Sequence, residues 1–135
     1  MHITRAYCDN WIGNIDKGEE ILNPTLDDIM RLVLSLDGKN KTMVTIGNDD
    51  EDFYMCIAGG NDGLYLAHIV YDDNDVFYDL VDLTKSRTKT VELVSGGQNA
   101  SYEEYLCVSK DKVMKAVKTF YEQVKPDQSL SWQKH

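Results

Sequence analysis

Residues 42–81, TMVTIGNDDEDFYMCIAGGNDGLYLAHIVYDDNDVFYDLV, decide the fold. Four β-branched and aromatic runs, Thr42 to Ile46, Phe53 to Ala58, Leu64 to Tyr71 and Val76 to Val81, are separated by short clusters of Gly, Asn and Asp. Such runs read as strands, and connections this short leave no room for crossover helices, so successive strands pair antiparallel as a meander. Gly59-Gly60-Asn61-Asp62-Gly63 reads as a hairpin turn that uses positive φ rather than as a nucleotide loop. Two further runs, Thr90 to Val94 and Tyr105 to Val108, extend the strand-rich region.

Helices flank it. Asn23-Pro24-Thr25-Leu26-Asp27-Asp28 combines a proline suited to a first turn, a capping threonine and two carboxylates at the positive helix end. Leu26, Ile29, Met30, Val33 and Leu36 then fall on one face, with Leu32 and Leu34 widening it, which predicts a heavily buried helix over about 25–37 that Asp37-Gly38 closes. Ser109 opens a second helix with Val113, Ala116, Val117, Phe120 and Val124 as its stripe, ending before Pro126; Lys110, Lys112, Lys115 and Lys118 lie off that stripe. Ile3 to Trp11 permits a strand, and 13–20 has the composition of a loop. The expectation is an α+β fold with a mainly antiparallel sheet of about six or seven strands and two principal helices packed on it, in one domain spanning 1–135.

The strand-rich region also holds the chain's charge. Between Lys41 and Lys85 there are ten carboxylates, Asp49, Asp50, Glu51, Asp52, Asp62, Asp72, Asp73, Asp75, Asp79 and Asp82, and no Lys or Arg. Taking those ten from the chain's 23 acids leaves 13 against 14 basic residues, so the net charge of −9 is local. Asp and Asn are ordinary turn residues, which accounts for any one cluster, but mixed surfaces intersperse both signs and this one does not. Four of the eight tyrosines, Tyr54, Tyr65, Tyr71 and Tyr78, share the block, and tyrosine beside carboxylate is a recognition mixture. The competing reading places these rings in the core.

Composition excludes several classes. With 135 residues, 42% apolar and 27% charged, the chain matches soluble globular usage, has no run near the ~18 apolar residues a membrane span needs, and shows no secretory leader, so a cytoplasmic location is expected. Cys8, Cys56 and Cys107 form neither a disulfide framework nor a zinc spacing. No Gly-x-Ser-x-Gly elbow, phosphate loop or His-Glu-x-x-His helix is present. His68 reads as a structural histidine, and a nucleophilic pair with Cys56 or Cys107 has no local marker. The acid clusters lack the glycine where a calcium loop must turn, so no metal, cofactor or catalytic residue is assigned. Nucleic acid is disfavoured as a partner by the sign of the charge. Two rivals remain: a small-molecule or ion-binding domain with its pocket between the sheet and the first helix, and a hydrolase or transferase using His68 with a cysteine.

Trp11 in the first strand region, Asn23-Pro24-Thr25 opening a helix, Gly59-Gly60 between strands, Gly96-Gly97-Gln98, a closing helix and Ser129-Leu130-Ser131-Trp132 follow one another in an order that resembles the first-numbered immunity-protein family of bacterial polymorphic toxin systems. The resemblance runs from Trp11 to Trp132 and rests on no chemically unique motif. It implies an α+β cytoplasmic protein encoded beside a toxin, often of the deaminase superfamily, that protects the producing cell by binding that toxin. Trp132 matches the family's C-terminal tryptophan; whether it packs or touches the toxin is open, and its position after Pro126 favours packing. The acidic block belongs to no family pattern, and its interface role rests on charge alone. The expected contacts on a basic toxin surface are Asp49, Asp50, Glu51, Asp52, Tyr71, Asp72, Asp73, Asp75, Tyr78 and Asp79. Oligomeric state is not set by the sequence.

Overall fold

A computed structural model of the chain describes residues 2–72 and 75–135. The strands are β1 (Arg5–Cys8), β2 (Trp11–Ile12), β3 (Ile15–Asp16), β4 (Glu19–Leu22), β5 (Met43–Asn48), β6 (Phe53–Gly59), β7 (Leu64–Tyr71), β8 (Val76–Val81), β9 (Thr90–Ser95), β10 (Gln98–Glu103), β11 (Val108–Ser109) and β12 (Ser131–Lys134). The helices are α1 (Leu26–Leu34) and α2 (Lys110–Gln123). The main sheet runs β12-β8-β7-β6-β5-β1-β4, with β11 pairing β7, and every pairing is antiparallel. The meander over β5 to β8 has the expected topology, and the fold is α+β.

Period-two alternation divides the sheet into two faces. Ala6, Cys8, Val44, Ile46, Met55, Ile57, Ala67, Ile69 and Leu80 point to one of them, where they meet Ile29, Leu32 and Val33 of α1 and Val113, Ala116, Val117 and Phe120 of α2, all at most 4% exposed. Phe53 meets Phe120 edge-on, ring centroids 5.9 Å apart. A reciprocal capping box starts α1: the Asp28 amide donates to Thr25 Oγ1 and the Thr25 amide donates to the Asp28 carboxylate.

Several boundaries differ from the sequence expectation, each for a local reason. α1 ends at Leu34, capped by Ser35, and Leu34 faces solvent rather than widening the stripe. Residues 13–20 are not a plain loop but hold the turn and second strand of the β2–β3 hairpin and the start of β4, which completes the edge beside β1. Tyr105 lies in a 3-10 turn, Glu104–Leu106, so of the expected strand only Val108 pairs, opposite Tyr65. α2 stops before Pro126, with Val124 at φ 53. Two further strands go beyond the expectation: β10, which pairs β9, and β12, whose Trp132 lies opposite Leu80 and donates from Nε1 to the Asp127 carbonyl. Trp132 therefore packs.

The β9–β10 hairpin folds over the sheet face that the helices leave open, burying Leu93 completely. It is anchored at three points. The Val94 amide donates to Asn61 Oδ1, the Gly97 amide donates to Thr42 Oγ1, and the Trp11 indole lies so close to Gly97 that a Cβ there would come within 2.7 Å of it. Asn61 also donates to the Gly38 carbonyl, joining the turn after α1.

Candidate protein-interaction surface at the acidic end of the sheet

Antiparallel order brings the β5–β6 and β7–β8 tips to the same end of the sheet, because Tyr54 at the root of one pairs with Val70 at the root of the other. The first tip is a 3-10 turn, Asp49–Glu51, capped by Asn48, whose Oδ1 accepts from the Asp50 amide; Asp52 then adopts the left-handed conformation at φ 53. Asp72 does the same at the second tip, and the Asp75 amide donates to its carbonyl. Asp and Asn tolerate this geometry better than most residues, so the turns select the residue types while leaving the carboxylates in water. Asp49, Asp50, Glu51, Asp52, Asp72 and Asp75 are all exposed, and Asp73 lies outside the described residues.

The rest of the acidic block is elsewhere. Asp62 and Asp82 lie at the opposite end of the sheet. Asp82 accepts from the Thr84 amide and hydroxyl and from Lys112, which hold its carboxyl down at about 2. Asp79 stands in mid-sheet, opposite His68 on one side and Gln133 on the other, with His135 Nε2 at 2.6 Å. Tyr71 and Tyr78 meet edge-on at 6.1 Å on the helix side of the second tip. The Tyr71 hydroxyl donates to the Val124 carbonyl at the end of α2, and burial raises its pKa to about 12. The two rings support the tip from beneath, while the carboxylates carry its charge.

Beside the first tip, the helix-free face is uncovered and forms a cleft of about 370 Å³. Arg5, Tyr7, Thr45, Gly47, Tyr54, Asp49 and Asp52 are among its lining residues. Arg5 spans it, 3.0 Å from Glu20 and 2.6 Å from Asp49. Arg5, Tyr7 and Gly47 were not marked by sequence reasoning. Alternation in β5 and β6 does place Thr45, Gly47 and Tyr54 on one face, but which part of that face the β9–β10 hairpin covers is a tertiary outcome.

The rival chemistries meet specific obstacles. Cys56 and His68 are direct cross-strand partners, so the nucleophilic pair is brought together. Burial, however, pushes the Cys56 thiol up to about 12 and lowers the His68 pKa, and a thiol held that high supplies little thiolate near neutral pH. At the sheet–α1 interface, where a pocket was expected, the helix side chains Ile29, Leu32 and Val33 are at most 1% exposed and belong to the apolar core. A second cavity of about 230 Å³ opens instead between the hairpin and the other face, lined by Leu66, His68, Asp79, Ser95, Tyr102 and Leu106 among others. Among the described residues, no three His, Cys, Asp or Glu side chains are grouped to hold a metal ion, and no helix is long and apolar enough to cross a membrane.

Comparison with protein-family models and with curated proteins found no match to the chain.

Proposed function

We propose that the chain is a cytoplasmic immunity protein that neutralises a cognate toxin by stoichiometric binding, seating its acidic end on a basic surface of that toxin. The observation that carries this reading is the convergence of the two acid tips, Asp49–Asp52 on one and Asp72 and Asp75 on the other, at one end of the sheet with these residues exposed. Exposed like charge contributes little to stability but raises association rates with an opposite potential and selects against wrong partners. An enzyme that acts on nucleic acid, such as a deaminase or nuclease, must line its groove with cations, so a carboxylate-studded end inserted there competes with the phosphates directly. The lysines of α2 do not oppose this. They ride on the helix layer, where Lys112 pairs with Asp82.

The test is co-purification with the product of the neighbouring gene, which the proposal requires to end in a toxin domain, followed by binding kinetics. Charge reversal at Asp72, Asp73 and Asp75 should slow association at low salt by about tenfold or more and flatten its salt dependence. Unchanged kinetics would remove the tips from the interface, and absence of a complex would remove the function. The cavity beneath the β9–β10 hairpin favours a second reading, a small-molecule-binding domain; a thermal shift with a metabolite panel separates the two, because a ligand bound only by the folded state raises its melting temperature.

A further inference from the structure

The cleft beside the first acid tip has a defined floor, wall and rim. Its floor at Gly47 is bare backbone: a Cβ there would lie 2.5 Å from the Phe53 carbonyl oxygen and 2.8 Å from Tyr54 Cβ. The Tyr7 ring lies against Gly18 and its hydroxyl donates to Asp16 at 2.6 Å, which fixes one wall. Tyr54 stands edge-on to His68, ring centroids 6.3 Å apart, across the floor. Asp49 and Asp52 are at the rim. The chain's own Arg5 already lies here between two carboxylates, so a guanidinium is a species this lining satisfies. Glu20, Asp49 and Asp52 against Arg5 leave the neighbourhood net negative and able to take a second cation.

We propose that this cleft receives an arginine side chain of the partner protein, a proposal that rests on the inhibitor reading and names the contact at its centre. The apolar stem lies along the tyrosine rings, and the guanidinium meets Asp52 and Asp49 while Arg5 remains with Glu20. Arginine suits this geometry because its planar head pairs with carboxylates in a fork and stacks on aromatic faces, whereas lysine offers a point charge. A small anion on Arg5 is disfavoured by the two carboxylates that already hold it.

The probe is arginine amide, titrated into the full chain and followed by amide chemical shifts, with norleucine amide and inorganic phosphate as controls. Arginine amide should shift the amides of Thr45, Gly47, Asn48 and Tyr54, and norleucine amide should leave them nearly unmoved. Asp52→Asn keeps the left-handed turn, because asparagine tolerates it, and should weaken binding by about fivefold. Thr45→Phe fills the cleft without changing charge and should abolish binding. Absence of shifts, equal shifts with norleucine amide, or shifts of the same amides by phosphate would overturn the proposal. If Thr45→Phe leaves toxin affinity intact while reversal at Asp72 and Asp75 lowers it, the cleft assignment fails and the inhibitor reading stands. Arginine-amide binding in a chain that forms no toxin complex gives the reverse.

Discussion

At one end of the sheet a single carboxylate, Asp9, is 2% exposed and accepts from the Thr42 amide at 2.6 Å, the Met43 amide at 2.9 Å, the Trp11 indole at 2.8 Å and the Thr42 hydroxyl. At the other end, Asp49, Asp50, Glu51 and Asp52 follow one another in water, and Arg5 pairs with Asp49. A carboxylate leaves water at acceptable cost only when donors replace its hydration, and Asp9 has them. Those donors come from β2 and the start of β5, and Thr42 and Trp11 in turn meet Gly97 of the β9–β10 hairpin, so one side chain just after β1 joins elements distant in sequence. The exposed tip acids join little, and selection on stability leaves them free to serve a surface.

The sharpest break of this contrast is at Asp9. Asp9→Ala leaves several buried donors unpaired and should cost about 3–5 kcal/mol in urea unfolding. Asp50→Asn at the tip should stay within about 0.5 kcal/mol. Similar losses at both positions would dissolve the distinction between the two ends.

Gly97→Ala tests the same end through shape. The residue has φ 80 and faces the Trp11 indole, so a methyl group adds both backbone strain and overlap. A loss of about 1–3 kcal/mol is expected, with hydrogen exchange quickening first in β9 and β10. Exchange that quickens uniformly across the sheet would instead make the hairpin part of the global unit.

These anchors explain how the sequence was legible. β7 and β8 begin and end where the pattern placed them, because alternation against a buried face leaves little choice of register. Trp11, Gly59-Gly60, Gly96-Gly97 and Trp132 are landmarks in a row along the sequence; in the fold the first three gather at the Asp9 end and Trp132 pins the last strand, so what they mark is architecture. The polar β10 and the terminal β12 carry weak alternation and take their strand form from partners, so local pattern could not announce them. The acidic block was a property of composition, and composition does not divide residues between two ends. Pairing does, sending Asp82 to one end and Asp72 to the other.

Asp82 should therefore respond to acid as a structural residue. Its carboxyl is held at about 2 in the folded chain, against 3.8 ordinarily, chiefly by the Thr84 hydroxyl. The sign follows from linkage: a depressed carboxyl stabilises the fold above the unfolded pKa and loses that contribution as pH falls through the folded one. Wild type should exceed Asp82→Ala in melting temperature at pH 6, and the gap should close between pH 4 and 2.

The smallest effect is expected between the two ends, at His68. Burial among Tyr54 and Phe77 lowers its pKa, and Asp79 across the strand pulls the other way with less force. Because burial outweighs Asp79, the unfolded chain takes up the proton more readily, so wild type should lose melting temperature relative to His68→Asn as pH falls below about 6.5. If Asp79 dominates, acidification should favour wild type instead, since the pair would gain charge attraction in the folded state. Melting curves of both proteins at pH 7.5 and 5.5 decide between the signs. The same curves for Asp79→Asn, made in a His135→Asn background so that the 2.6 Å contact of His135 with Asp79 is absent from both proteins, isolate the carboxylate, because removing it should deepen the acid loss only where a countervailing attraction had been limiting it.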